Sequence, residues 1–215
     1  MIIVLAHQKG GVGKTTTALN LVEIMKPDII IDQDAHDGIS FLNEYREPGN
    51  KLNVIHGLDK ARMIKTLRQS ELGKTIVVDC GGFDSDVNRV AIALADVVLV
   101  PSNDDIKEVK GLNRFNDMLV EISNDLGEQQ VGHVFLTRTH PSRKHFEDFE
   151  GFVNEMSHLK MLSTRIPTSK FHNIAHFEGV GVTAHRKTKY SDAARDIKAL
   201  AKEVTLLLES KKDEQ

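Results

Sequence analysis

Lysines and aspartates suited to phosphate chemistry are concentrated in the first 85 residues of this 215-residue chain. Lys14 and Thr15 close the loop Lys9-Gly10-Gly11-Val12-Gly13-Lys14-Thr15-Thr16. Glycines there leave successive N–H groups free to turn inward on an anion, and a helix opening at Lys14 adds the positive end of its dipole. In such a loop the lysine reaches the β- and γ-phosphates of a nucleotide, and the Thr15 hydroxyl ligates Mg²⁺. Asp32 and Asp34 stand at i, i+2, so they point the same way at the end of an apolar run. Asp79 closes a second such run, Thr75 to Asp79, where it would hold Mg²⁺ through water. Gly81 and Gly82 follow it and permit close backbone approach to the γ-phosphate.

These residues work only if the chain positions them. Ile2 to Ala6 reads as a buried strand, and Ala18, Leu21, Val22 and Met25 have helical spacing, so the glycine loop lies between strand and helix. Further strands are expected at 28–32, 52–55, 75–79, 96–101, 133–137 and 161–166. Helices are expected through Leu58, Met63 and Leu67, through Ile106 to Ile122, from Pro141-Ser142 through Phe149 to Met156, and through Ile197 to Leu208. Strands alternating with helices predict an α/β fold, a doubly wound, mainly parallel sheet with helices on both faces. Ligands of such sheets bind at the carboxyl ends of the strands, where Asp32, Asp34 and Asp79 fall.

The loop departs from the common phosphate-binding pattern, which has glycine where Gln8 stands. With its additional Lys9 it resembles the deviant Walker A loop of the ParA/MinD group of ATPases, and Gln8 before Lys9 is closer to the ParA branch. The resemblance covers nearly the full length and is far more specific in the first 85 residues. It implies that Lys9 reaches the partner subunit's nucleotide in an ATP-closed homodimer. It also implies that Asp34 positions the attacking water, that Asp32 lies near the Mg²⁺, and that Arg138 and Pro167 flank the adenine. Ala35 and His36 replace the proline and glutamine usual after the second aspartate in that family, so the hydrolysis rate is not carried over. No Asn-Lys-x-Asp guanine reader is present, which favours ATP.

Composition fits one domain over residues 1–215, with 40% hydrophobic and 27% charged residues. One cysteine, Cys80, allows no internal disulfide and suits a reducing cytoplasm. We expect no membrane span, signal peptide or N-terminal DNA-reading domain. The net charge of −3 divides unevenly: residues 1–137 carry −6, residues 138–202 carry +5, and the last thirteen carry −2. The basic segment calls for an anionic partner. Its candidates are Arg186, Lys187 and Lys189 in a turn-rich stretch, and Arg195, Lys198 and Lys202, which share one face of the last helix. Six of the ten histidines lie in this segment without a zinc-ligand pattern.

The expected function is therefore ATP-dependent partition of a plasmid or chromosome. The ATP dimer would bind nonspecific DNA at the nucleoid, and a ParB-like centromere-binding or adaptor protein would trigger hydrolysis. Two other readings stay open. A MinD-like positioning ATPase would need a basic amphipathic C-terminal helix, whereas this chain ends ESKKDEQ. A metabolic ligase of the dethiobiotin synthetase type is not separated from the first reading by sequence.

Overall fold

A computed structural model describes residues 1–34 and 38–213. Its strands are β1 (Ile2–Leu5), β2 (Ile29–Gln33), β3 (Val54–His56), β4 (Ile76–Cys80), β5 (Val97–Ser102), β6 (Gly132–Thr139) and β7 (Leu159–Pro167). They form one sheet in the order β3-β2-β4-β1-β5-β6-β7, and every pairing is parallel. The helices are α1 (Lys14–Met25), α2 (Gly38–Glu44), α3 (Lys60–Leu67), α4 (Asp86–Ala93), α5 (Ile106–Leu126), α6 (Glu147–Asn154), α7 (Lys170–His176) and α8 (Asp192–Asp213).

The central strands are apolar up to their carboxyl ends because both faces are covered. Alternation along β1 sends Ile2 and Val4 to one core, which also holds Met63, Ile92, Phe115 and Val153 of α3, α4, α5 and α6. Ile3 and Leu5 join the other, with Leu21 of α1, Ile39 of α2, Ala175 of α7 and Ile197 and Leu200 of α8. This is the doubly wound sheet expected from the sequence, parallel throughout.

Some elements differ from expectation. The helix through Phe149 starts at Glu147, after Phe146, and not at Pro141-Ser142, because residues 141–146 form turns and open coil. Leu58 lies before α3, whose N-cap is Asp59; its carboxylate accepts the N–H of Arg62. Helices α2 and α7, of seven residues each, are too short to show a clear period, and periodicity alone does not reveal them. Among the described residues no helix is long and apolar enough to cross a membrane.

Strand order decides where the chemistry falls. Because β4 lies between β2 and β1, the register pairs Asp32 with Asp79 and Leu5 with Asp79. The end of β1, which launches the glycine loop, thus sits beside the two aspartate-bearing strand ends. Connections reverse direction between β1 and its neighbours β4 and β5, the kind of crevice in which open α/β sheets bind ligands.

Candidate functional site

Strand β1 ends at Leu5; Ala6 and His7 follow it, and the loop then runs to Gly13 before α1 begins. Gly13 has φ 95°, a left-handed backbone closed to most other residues, and its C=O accepts the N–H of Thr17 in the first helical turn. From β6, the Thr137 hydroxyl donates to the Val12 C=O at 2.7 Å and ties the loop to the sheet. On the other side, Gly82 touches the loop so closely that an added Cβ would lie 3.1 Å from the Gly10 nitrogen. The segment after β4 is thereby in contact with the loop that would hold the phosphates.

Lys14 is 5% exposed, and its ammonium donates to the Lys9 C=O at 3.0 Å. Burial pushes its pKa below the ordinary lysine value, while Asp79 and Asp34 oppose that shift. Asp79 is fully buried, and among the described residues neither carboxylate oxygen makes a hydrogen bond of good geometry, although the Thr15 hydroxyl is close. Desolvation raises its pKa to about 7; the nearby Thr15 hydroxyl moderates this, and the charge of Asp32 adds to it. Native structures seldom leave a buried carboxylate unmatched, and those that do need an explanation, an ion among them. The Thr15 hydroxyl lies against the same spot: an added Cβ on Gly38 would be 2.8 Å from Thr15 Oγ1 and 3.0 Å from Asp79 Oδ2. A hydroxyl and an uncompensated carboxylate, both oxygen donors, suit a hard divalent cation such as Mg²⁺. Among the described residues no three His, Cys, Asp or Glu side chains could hold a metal unaided. Phosphate oxygens and water would have to complete the shell.

Asp32 is buried in a different manner. One oxygen accepts the N–H of Asp34 at 3.1 Å and the other that of Ser40 at 2.8 Å, so this carboxylate fixes the loop after β2 to the start of α2. Asp34 is partly buried, and its C=O contacts His56 Nε2 at 3.2 Å. Ala35 and His36 lie outside the described residues. His7 is buried, with its Nδ1 accepting the N–H of Lys9 at 3.0 Å. Burial, then Lys14 and Lys9, lower its pKa to about 4, so the ring is neutral and braces the loop.

Arg138 and Pro167 line one cavity of about 330 Å³, together with Gly13, Thr16, Thr168 and His172. Arg138 adopts φ 55° at an irregularity of β6, its C=O accepts the Thr168 hydroxyl, and its guanidinium comes to 3.8 Å from the Cβ position of Gly11. Sequence reading missed His172, which is 7% exposed and, among the described residues, has no hydrogen-bond partner for either ring nitrogen. It also missed Thr137 and Glu108. The last accepts a hydrogen bond from the Lys9 ammonium within the same chain. None of the three belongs to a local motif; the sheet brings each of them to the loop.

The basic candidates are elsewhere. Arg186, Lys187, Arg195, Lys198 and Lys202 are exposed and Lys189 is half-buried. Lys189 stands 5.1 Å over the ring of Tyr190, and Arg195 pairs with Asp192.

Comparisons with known proteins bear on this geometry. A family model described as an AAA domain matches residues 1–75. A sequence relative, Protein ParA of Rhizobium radiobacter, is 29% identical over 105 residues, 46% of this chain and 47% of that protein. The match thus spans about half the length of that relative. Two solved structures share the fold. The cell division ATPase MinD of Pyrococcus furiosus has a TM-score of 0.70 at 17% identity, covering 96% of this chain and 99% of its own. A putative plasmid partition protein of Borrelia burgdorferi B31, bound to AMPPNP, has a TM-score of 0.62 at 18% identity, covering 95% and 97%. With Lys9 and Lys14 in one glycine loop and Asp79 beneath it, the segment that carries the loop is similar to an AAA-domain family model, and the chain is similar over about half its length to a ParA protein.

Proposed function

We propose that the chain binds ATP with Mg²⁺ at the carboxyl edge of the sheet, hydrolyses it slowly, and acts as a ParA-type partition protein. The observation that carries this reading is the pair of buried charged groups at the glycine loop: among the described residues Lys14 makes no ion pair with a carboxylate and Asp79 none with a cation. Loop N–H groups from Gly10 to Thr16 and the Lys14 ammonium would take the β- and γ-phosphates. Thr15 would ligate Mg²⁺ directly and Asp79 through water, and the bound ion would neutralise charge developing between those phosphates. Asp32 holds the loop after β2 so that Asp34 can orient the attacking water, and Gly82 brings the segment after β4 to the γ-phosphate side. Arg138, Pro167 and His172 would enclose the base.

In this reading Lys9 joins two subunits across their nucleotides, and the dimer presents Arg186, Lys187, Lys189, Arg195, Lys198 and Lys202 twice to DNA of any sequence. A ParB-like or adaptor protein would then speed hydrolysis, since catalysis of this kind is positioning and charge stabilisation. The ParA relative and the partition protein bound to AMPPNP support the reading. The test is DNA affinity measured with ATP and with ADP over a salt titration, beside sedimentation in the same nucleotides. A dimer and salt-sensitive DNA binding in ATP alone are expected. Equal DNA affinity in both nucleotides would turn the assignment toward a metabolic ligase.

A further inference from the structure

Helix α5 runs as a rail beside the start of the glycine loop. The Gln8 amide donates to the Arg114 C=O, the His7 ring stacks over Phe115 at 6.4 Å, and an added Cβ on Gly111 would lie 3.2 Å from His7 Cε1. On the first turn of this rail stands Glu108, 5% exposed. One of its carboxylate oxygens accepts from the Lys9 ammonium; the other, Oε2, is buried and has no hydrogen-bond partner among the described residues. Lys9 is the only cation paired with Glu108 among the described residues.

The two partners are unequally placed. The Lys9 side chain is 48% exposed and the Glu108 side chain 7%. Lysine can leave for water at little cost, whereas the carboxylate it abandons stays in a poorly solvated place. Breaking such a pair from the exposed side strands a buried charge, which costs more than the pair contributed.

We infer that Glu108 is an intramolecular latch on Lys9: it holds the ammonium against α5 in the single chain and opposes its transfer to any group outside the subunit. The inference rests on the reading of Lys9 as the residue that crosses to a partner's nucleotide. ATP-driven dimerisation must then release Lys9 from Glu108, so the latch raises the protein concentration at which dimers form. This makes association depend more steeply on nucleotide, because only a bound triphosphate offers Lys9 a better anion than the one it leaves.

Glu108→Gln keeps the shape of the side chain and removes its charge. Sedimentation velocity with AMPPNP and Mg²⁺ should show the dimerisation midpoint of Glu108→Gln about tenfold below wild type, between the small effect of a surface pair and the large effect of a fully buried one. Lys9→Gln should remain monomeric, and the double variant should match Lys9→Gln. A second readout needs no nucleotide: acetylation of the Lys9 amine, followed by mass spectrometry, should be several-fold faster in Glu108→Gln than in wild type. Should glutamine disturb the fold, Glu108→Met, apolar and of similar volume, gives the same two readouts. An unchanged or raised midpoint together with unchanged Lys9 labelling overturns the latch. A wild-type chain that binds no nucleotide overturns the proposed function instead, and the labelling comparison then decides the latch alone.

Discussion

The carboxyl edge around β1, β2 and β4 and the basic segment from 138 to 202 both attracted functional readings, yet they are built differently. At the edge, two charged groups are buried and poorly matched among the described residues: Asp79 has no well-formed hydrogen bond to either oxygen, and Lys14 donates only to a backbone carbonyl. In the basic segment, apart from the cavity wall with His172, the cations are exposed or half-buried, and several already have neighbours, among them Arg143 beside Asp104, Lys189 over Tyr190 and Arg195 beside Asp192. Burying a charge without compensation is costly, so its persistence marks a place completed by a ligand. An exposed lysine costs almost nothing and marks no such place. The edge therefore identifies its ligand chemically, whereas the basic face offers charge alone.

The contrast can be broken by substitutions of graded effect. The largest should come from Lys14→Ala, which would remove the proposed charged donor to the phosphates from a buried position; ATP affinity should fall by a factor of at least about 100, with folding checked by circular dichroism. Asp79→Asn should follow. Folded Asp79 titrates near pH 7 against an ordinary 3.8, because burial favours its neutral form. Its contribution to stability is thus fully present below about pH 4 and is lost as pH rises to about 7. Thermal melts of the nucleotide-free protein should show this loss in wild type and not in Asp79→Asn, and Mg²⁺ should no longer strengthen ATP binding to the variant. Replacing Lys198 and Lys202 with glutamate should weaken binding to all DNA sequences by roughly 10- to 100-fold without altering basal hydrolysis. The wild-type dimer, releasing about five counterions, should have a log–log salt slope of about −4 to −5. The smallest effect belongs to His172→Phe. It should lower ATP affinity about tenfold and leave tripolyphosphate binding unchanged, if the buried ring meets the base.

How much of this was legible in the sequence follows the same division. The glycine loop and Asp79 were readable because their residues are local and their strand–loop–helix order is unambiguous. All seven strands were readable for the same reason, though β6 extends over Gly132–Thr139, past the apolar run that announced it. Strand order was not, since nothing local says that β4 inserts between β1 and β2 and brings Asp32 level with Asp79. Thr137, Glu108 and His172 escaped because each meets the loop or its cavity across a sequence separation of about 100 residues or more. Asp32 was readable as a carboxylate of the site, but not as the acceptor for two backbone N–H groups that shape the loop.

The most direct test is isothermal titration of ATP into the purified chain, with Mg²⁺ and with EDTA, on wild type and Asp79→Asn. Completion of the unmatched pair beneath the glycine loop predicts that wild type binds ATP, that Mg²⁺ tightens the binding at least about tenfold, and that Asp79→Asn binds equally in both conditions. Wild-type affinity indifferent to Mg²⁺, or Asp79→Asn retaining the full Mg²⁺ effect, would contradict the account.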